Sequence, residues 1–392
     1  MSKILHLIPD EKFTNDVITN FDLVTDNNVY LIFGDRLKNK FNVKVGNNVI
    51  WLNESELSQY QIPLDVIALI VHGLNYNFSK FILDLPKEIK ICWFAWGYDI
   101  YLLPKIQRNI YGVDTLKYLR SKNRFYNLIQ FVKNNSLLRK IYFRTILNKP
   151  DYFLTYEKAH KRINYFCTYI VEDFEIFQKY YPNKMKYLEI GYFSINQYLG
   201  NSSDEKIELK RGNILVGNSN SVENNHLDLF SRLKNYSNNI GNFSIICPLN
   251  YGENQSYKNE LCKKGNELFK NNFKPLLDFL SREEYIELLK TCSAAIFYHF
   301  RQQAMGNIIA LLYMGCRVYL SKINPVYSYL KRIGIVIFDF DSDFEHFLNT
   351  PLSSDETINN KTILESEFSA EDIINQTCCF IKLLTDECKE SS

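Results

Sequence analysis

Two polar segments in the second half of the chain follow directly after apolar runs, and both could hold an anionic ligand. Residues 214–220 read Ile-Leu-Val-Gly-Asn-Ser-Asn, and residues 298–307 read Tyr-His-Phe-Arg-Gln-Gln-Ala-Met-Gly-Asn. A glycine turn between a strand and a helix lets backbone N–H groups approach phosphate oxygens, and a guanidinium makes two charge-assisted bonds to a diphosphate. A ligand-free turn and a surface ion pair of the arginine are the alternatives. The candidate ligand-binding residues are Gly217, Asn218, Ser219 and Arg301 for phosphates, with Gln302 and Gln303 for hydroxyl groups or an amide of the same ligand.

Three more candidate residues lie at the ends of predicted strands. Tyr251, in the run Cys-Pro-Leu-Asn-Tyr-Gly, could stack on a base or hydrogen-bond a phosphate, although a plain turn fits equally well. In the first half, His72 follows the run IALIV, and Asp99 follows ICWFA and a short polar turn. An imidazole or a carboxylate at such a position could take a proton from a hydroxyl group as a general base. A structural histidine and a helix-capping aspartate are the alternatives.

A basic segment with interleaved apolar residues occupies positions 105–149. It contains eleven lysines and arginines against one acid, Asp114. Such a segment can lie on an anionic membrane surface, where charge and buried apolar area both contribute, whereas a solvated basic face is the alternative. Because the net charge of the whole chain is only +2, no nucleic acid partner is predicted.

No metal and no cofactor are predicted. The acidic run Asp339–Asp343 resembles a metal-binding motif, but capping of the next helix is the favoured interpretation. The nine cysteines show neither a CxxC pair nor zinc-like spacing, and are expected to be reduced, buried thiols. The first apolar stretch is too short for a signal peptide, and no run approaches the roughly 18 apolar residues of a membrane span. A cytoplasmic, peripheral protein is therefore expected.

The elements that must position these residues follow an alternating strand and helix pattern, which predicts α/β folding with parallel sheets. A chain of 392 residues suits two domains. We expect a first domain at 1–200, a polar linker at 201–212, a second domain at 213–365, and a C-terminal segment at 366–392 whose helix packs back on the first domain. Predicted strands include 152–154 and 335–338, and Ser281 with Glu284 predicts a capping box at a helix start.

Several ordered motifs together resemble a bacterial glycosyltransferase family. They are ILVGNSNSVENNH, CPLNYG, LSREEYIELLKTC, FRQQAMGN and NPVY, preceded by His72-Gly73 and by Trp96-Gly-Tyr-Asp-Ile-Tyr101. The family is the one that includes the N-acetylfucosamine transferase of enterobacterial common antigen synthesis. The resemblance covers most of the chain and is strongest in the second half.

This resemblance implies the GT-B fold, in which two Rossmann-like domains with parallel sheets face each other across a cleft. It also implies a dTDP-sugar donor bound by the second domain, an undecaprenyl-diphosphate-linked acceptor and attachment to the cytoplasmic face of the inner membrane. By matching position, Asn324 joins the donor-site candidates, while Asp99 and His72 become acceptor-side candidates. A GT-B transferase for UDP- or GDP-sugars and a catalytically inactive membrane scaffold are the two rival interpretations.

Overall fold

The computed structural model describes residues 2–11, 13–38, 43–44, 46–199, 212–236, 240, 243–252, 254–347 and 352–390. By internal contacts the chain divides into two compact units, and neither is continuous in sequence. The first unit comprises Met1–Ile106, Phe131–Gln197 and Phe368–Ser392, and the second comprises Gln107–Gln130 and Tyr198–Glu367. The predicted linker at 201–212 lies outside the described residues except for Gly212.

The first unit is built on a seven-stranded parallel sheet. Its strands are β1 (Lys3–Pro9), β2 (Asn28–Phe33), β3 (Val49–Leu52), β4 (Val66–His72), β5 (Lys90–Phe94), β6 (Tyr165–Cys167) and β7 (Lys186–Leu188). The spatial order is β3-β2-β1-β4-β5-β6-β7, and all pairs are parallel. The order therefore reverses between β1 and β4, as in Rossmann folds, where ligands bind beyond the strand ends at that point.

Helices cover this sheet, and one of them corrects a sequence prediction. The helices that precede the second sheet are α1 (Thr14–Asp22), α2 (Glu54–Gln59), α3 (Tyr76–Asp84), α4 (Tyr98–Tyr101), α5 (Pro104–Gln107), α6 (Val113–Lys122), α7 (Tyr126–Asn134), α8 (Ser136–Thr145), α9 (Tyr152–His160), α10 (Val171–Tyr180) and α11 (Ile195–Leu199). The strand predicted at 152–154 is wrong, because these residues open α9. The Asp151 side chain accepts a hydrogen bond from Leu154 N and caps this helix, which outweighs the strand preference of a short aromatic run.

The second unit contains a six-stranded parallel sheet. Its strands are β8 (Asn213–Val216), β9 (Ser244–Pro248), β10 (Phe273–Leu276), β11 (Cys292–Phe297), β12 (Arg317–Leu320) and β13 (Phe338–Asp339). The order β10-β9-β8-β11-β12-β13 reverses between β8 and β11, again as in a Rossmann fold. The strand predicted at 335–338 begins only at Phe338, because the backbone of Val336 hydrogen-bonds the side chain of Asn360 instead of a neighbouring strand.

The remaining helices complete both units. They are α12 (His226–Leu233), α13 (Gln255–Phe269), α14 (Arg282–Lys290), α15 (Met305–Tyr313), α16 (Pro325–Arg332), α17 (Phe340–Phe347), α18 (Ser354–Glu367) and α19 (Ala370–Glu390). The predicted capping box of α14 is confirmed, since Ser281 and Glu284 exchange hydrogen bonds. Helix α19 packs on α1 and β4 through its buried apolar stripe, so the chain ends in the first unit.

The predicted basic segment at 105–149 is several short helices, of which α6 belongs to the second unit. Asp228 of α12 accepts hydrogen bonds from Asp114 N at 2.8 Å, Thr115 N at 3.0 Å and Thr115 Oγ1 at 2.6 Å. This carboxylate therefore caps α6 from a neighbouring helix. Arg139 of α8 is buried and bonds Asp151 and Glu157, so it contributes to folding rather than to a basic surface.

Candidate active site

Three predicted polar loops meet at the carboxyl edge of the second sheet. The loop after β8 bonds the loop after β11, because Gln303 Nε2 donates to Asn218 Oδ1 at 2.8 Å. Asn220 joins the loop after β9, donating from its backbone N to Tyr251 O at 2.8 Å and from Nδ2 to Gly252 O at 3.1 Å. The segments that sequence reasoning singled out separately thus form one cluster, at the point where the strand order reverses.

Glycine is required at Gly217, the first residue after β8. Its φ of +68° lies in the left-handed region, which residues with a side chain adopt only with strain. A Cβ atom here would lie 2.3 Å from Nε2 of His226, a buried imidazole on the first turn of α12. The loop backbone therefore lies directly on this ring.

Arg301 provides the positive charge of the cluster. Its guanidinium donates to Gln302 O at 3.1 Å, and its side chain is partly exposed. Burial, together with the charge of Arg301, lowers the pKa of His299 from 6.5 to about 3. The same charge opposes the burial that raises the pKa of Tyr111 in the second unit. Arg301 is thus close to both side chains.

Several buried polar atoms of this cluster have no hydrogen-bond partner among the described residues. They are both ring nitrogens of His226, His299 Nε2, Gln302 Oε1, Gln303 Oε1 and Asn220 Oδ1. Leaving one such atom unsatisfied costs about 1–3 kcal/mol, so native proteins rarely bury several together without a reason. Such atoms are potential hydrogen-bond partners for a polar ligand.

The remaining candidates of this unit take different positions. Asn324 is fully buried, caps α16 through Oδ1 and donates from Nδ2 to His299 O at 3.0 Å, so it holds His299 in place. Ser219 is also buried, and its Oγ accepts from Asn224 within the loop. Tyr251 is 52% exposed and extends into solvent. Helix α15 begins after Ala304, whose φ is +60°, without a side-chain cap at its first turn.

The two candidates of the first unit, His72 and Asp99, have different surroundings. Asp99 is buried and its carboxylate accepts three hydrogen bonds, from Leu74 N at 2.8 Å, Trp93 Nε1 at 2.6 Å and Trp96 N at 3.0 Å. Burial raises its pKa to about 6, against the effect of these bonds. Its oxygens hold together the turns after β4 and β5.

His72 ends β4 and is fully buried, so its ring meets protein atoms only. Its Nε2 lies 3.0 Å from Nδ1 of His6, and its Nδ1 bonds the hydroxyl of Tyr192. Burial lowers its pKa well below the usual value, with a smaller contribution from His6. His72 and Asp99 therefore have different direct hydrogen-bond partners.

A family model described as 4-alpha-L-fucosyltransferase glycosyl transferase group 56 matches residues 152–349, half of the chain. The chain belongs to this family. The family predicted from the sequence motifs is thereby confirmed, and the chain is a glycosyltransferase.

Solved structures with a similar fold include two synthases from Burkholderia. Alpha,alpha-trehalose 6-phosphate synthase from Burkholderia multivorans has a TM-score of 0.63 at 10% identity, with 100% of both chains covered. The UDP-forming synthase from Burkholderia xenovorans has a TM-score of 0.63 at 12% identity, covering 98% of this chain and 99% of that one. The N-terminal domain of Candida albicans trehalose-6-phosphate phosphatase has a TM-score of 0.61 at 9% identity, covering 98% of this chain and 97% of that one. At these identities the likeness shows the fold alone, which is the predicted GT-B fold with Rossmann-like domains.

Sequence reasoning missed three residues that organise the site of this fucosyltransferase-family chain. His226 and His299 contribute buried ring nitrogens to the cluster. Asn225, at a φ of +52°, bonds Gly112 N, Ile110 O and Tyr298 O and so joins α6 to the loop after β11. All three lie within or beside runs that were recognised, but an isolated histidine or asparagine has no spacing that predicts its role.

The acidic run Asp339–Asp343, at the end of β13 and the start of α17, makes contacts within the fold. Asp339 accepts from Lys322 N and Ser342 Oγ, Asp343 accepts from Asp339 N, and Asp341 pairs with Arg232 at 2.6 Å. Within the described ranges, no group of three or more histidine, cysteine or acidic side chains is arranged to hold a metal ion.

Proposed function

We propose that this glycosyltransferase moves a deoxy-amino sugar of the N-acetylfucosamine type from a dTDP-sugar to an undecaprenyl-diphosphate-linked oligosaccharide during bacterial surface polysaccharide synthesis. The family description names fucosyl transfer, and the motifs resemble those of an N-acetylfucosamine transferase. The observation that carries the proposal is the loop cluster of the second unit, where Arg301 and buried polar atoms without partners surround the strand-order reversal.

In this proposal the second unit binds the nucleoside diphosphate. Arg301, the backbone of 217–219 and the first turn of α15 contact the phosphates and stabilise the negative charge that grows as the glycosidic bond breaks. Asn218, Gln302 and Gln303 supply amides for the phosphates or the sugar hydroxyls. Tyr251, which is half exposed, stacks on the base.

Thermal unfolding with added nucleotide tests the donor site. A ligand that binds only the folded protein raises its melting temperature, and saturation at about 100 Kd contributes about 2.7 kcal/mol. We expect dTDP to raise the melting temperature more than UDP or GDP at equal concentration. Arg301→Ala should abolish that response and reduce transfer at least about 100-fold, because a charge that stabilises the leaving group is lost. The matched control is Arg282→Ala, an exposed arginine of α14 in the same unit.

The outcomes separate the rival functions. A larger response to UDP or GDP would favour a transferase with a different donor. No response to any nucleotide, together with retained membrane binding, would favour an inactive scaffold. Unchanged transfer by Arg301→Ala would contradict the role of the loop cluster.

We further propose that the protein acts on the cytoplasmic face of the inner membrane, with residues 124–149 in contact with the lipid surface. Within the described chain, no helix combines the length and the apolar character that a membrane span requires. The large apolar side chains that this stretch exposes are Phe125, Leu128, Phe131, Leu137, Leu138, Ile141, Ile146 and Leu147. Exposed basic residues accompany them, including Arg124, Lys140 and Arg144. Apolar side chains with adjacent cations are the combination that binds anionic lipid surfaces.

Flotation with vesicles tests this contact. We expect binding to vesicles that contain phosphatidylglycerol and weak binding to neutral ones. The double variant Leu137→Glu/Ile141→Glu should weaken binding by at least about tenfold, since it removes two apolar contacts and adds two negative charges. The control Leu37→Glu/Leu64→Glu changes two exposed leucines elsewhere in the first unit and should bind normally. Equal binding by both double variants would contradict the proposed lipid contact.

A further inference from the structure

Two buried histidines meet at the strand-order reversal of the first sheet. His6 lies on β1 and His72 on the adjacent β4, and their rings are stacked with centroids 5.3 Å apart. Both side chains are fully buried. Tyr192, whose hydroxyl bonds His72 Nδ1, is partly exposed. Of these three residues, only Tyr192 is partly exposed, and it lies beside His72 at the end of β4, the sheet edge where ligands of such folds bind.

The donor and the acceptor of each hydrogen bond between Asn28 and Tyr192 can be assigned by starting from Asn28. Asn28 Nδ2 donates to Thr25 O at 2.8 Å and to Asp22 Oδ1 at 3.3 Å, which are both acceptors. The amide oxygen of Asn28 therefore faces His6 Nε2, 3.1 Å away, and this nitrogen must carry a proton. Burial lowers the pKa of His6 to about 3, so the ring is neutral and its Nδ1 is an acceptor.

The same reasoning fixes His72. Because His6 Nδ1 accepts, the proton between the rings belongs to His72 Nε2. His72 is neutral as well, since burial lowers its pKa, and its Nδ1 is left with a lone pair. The hydroxyl of Tyr192 must therefore donate to His72, and its oxygen, beside the indole of Trp96, remains an acceptor.

We infer that Tyr192 is the catalytic residue that meets the acceptor hydroxyl, that His72 receives the proton through Tyr192, and that His6 is a positioning residue that sets the tautomer of His72. The inference rests on the proposed function. As the acceptor oxygen bonds the anomeric carbon of the donor sugar, its proton moves to Tyr192 while the tyrosine proton moves to His72 Nδ1. The bond from that carbon to the diphosphate oxygen breaks and its electron pair remains on the diphosphate. After product release, the proton returns from His72 to solvent through Tyr192.

Burial and the neighbouring His6 disfavour the imidazolium form of His72, so the proton rests on this ring only briefly. Asp22 lies behind Asn28 and also accepts from Tyr30 at 2.7 Å, so a carboxylate terminates the chain. On the other side, burial raises the pKa of Tyr192 well above its usual value, the indole of Trp96 lowers it, and the nearby Tyr98 and Asp99 raise it. Phe21 and Phe94 pack against His72 and exclude water. An oriented base behind the group that contacts substrate is the arrangement of known catalytic triads.

Side-chain ¹⁵N–¹H correlation spectra test the hydrogen-bond order without any substrate. We expect His6 and His72 to be neutral and protonated on Nε2, with assignments from His6→Gln and His72→Gln. Protonation of His72 on Nδ1 would overturn the inference. In His6→Phe the acceptor for His72 Nε2 is absent, so His72 should change its tautomer, whereas His6→Gln should retain it.

Transfer kinetics test the catalytic step, with the donor nucleotide that most stabilises the wild-type protein. Tyr192→Phe should lower kcat about 100-fold or more, the usual scale of a lost acid–base group, with KM and the nucleotide-induced melting shift unchanged. His6→Phe should lower kcat about tenfold, and His6→Gln should restore most of it. The control Tyr60→Phe removes a partly exposed hydroxyl beside Phe81 in the same unit and should keep full activity.

The outcomes remain distinguishable from failure of the proposed function. Wild-type turnover by Tyr192→Phe overturns the catalytic role, whatever the donor. If the wild-type protein transfers from none of the dTDP-, UDP- and GDP-sugars, the proposed function and the catalytic step fall together, while the tautomer spectra still decide the hydrogen-bond order.

Discussion

The two parallel sheets reverse their strand order in the same way but end in different chemistry at that point. In the first unit, the polar atoms from Asn28 through His6 and His72 to Tyr192 each meet a partner. In the second unit, the loops after β8 and β11 contain buried nitrogens and oxygens that have no protein partner among the described residues. The chain from Asn28 to Tyr192 is thus satisfied within the protein, whereas the second cluster has unsatisfied atoms that, in the proposed function, a polar ligand contacts.

This difference indicates how one topology serves two tasks. A complete chain of hydrogen bonds fixes where each proton lies, which suits a step that moves a proton. An incomplete cluster with a guanidinium suits binding of an anion, whose oxygens replace the missing partners. Variants at the edge of the first sheet should therefore change proton transfer and leave nucleotide binding intact. Variants at the edge of the second sheet should change nucleotide binding.

Gly217→Ala should have the largest effect. The new Cβ would meet His226 Nε2 at 2.3 Å and would occupy a backbone conformation unfavourable for alanine. Overpacking and strain together should lower the free energy of unfolding by about 3 kcal/mol, and the melting response to nucleotide should disappear. Chemical denaturation and nucleotide-dependent melting measure both effects.

The control for this variant is Gly212→Ala. No heavy atom lies within 4 Å of a Cβ placed at Gly212, and its φ does not require glycine. We expect its unfolding free energy and its melting response to nucleotide to equal those of the wild type. If both alanine variants respond to nucleotide equally, the loop after β8 does not bind the donor.

Much of the fold was predictable from sequence because buried parallel strands are continuous apolar runs. The segments around 217–219 and 301–303 were both predicted to bind a ligand, because a glycine turn after a strand and a guanidinium suit a diphosphate. The histidine chain could not be predicted, because it depends on the pairing of β1 with β4 and on Tyr192, which is distant in sequence. The insertion of α6 into the second unit also has no local signal, since it depends on Asp228, which is 113 residues from Thr115.

Asp99→Asn should have an intermediate effect on stability. It tests whether Asp99 takes part in the proton transfer proposed for Tyr192 and His72. Its carboxylate accepts from three buried donors, whereas an amide directs one N–H group toward another donor. We expect a loss of about 2 kcal/mol in unfolding free energy at pH 7.5, with kcat of the folded enzyme nearly unchanged. Asp84→Asn, at an exposed position of α3, is the control. A fall in kcat with unchanged stability would instead assign the general base to Asp99.

His160→Phe should have the smallest effect and provides a reference for a buried histidine with no catalytic task. The ring stacks on Trp93, and neither nitrogen has a hydrogen-bond partner within the described chain. Burial lowers its pKa from 6.5 to about 3. The folded protein thus keeps this ring neutral while the unfolded chain protonates it, so its contribution to stability is complete above pH 6.5 and is lost as the pH falls toward 3.

The phenylalanine variant lacks this loss. The difference in unfolding free energy, variant minus wild type, should therefore rise by about 1.4 kcal/mol when the pH is lowered from 7.5 to 5.5, because pH 5.5 is one unit below the unfolded pKa. The other buried histidines titrate in both proteins and cancel from the difference. If the unfolding free energies of wild type and His160→Phe change in parallel with pH, His160 is protonated in the folded state. Because this variant removes no hydrogen bond, it should retain full kcat, in contrast to His6→Phe, which removes the acceptor that orients His72.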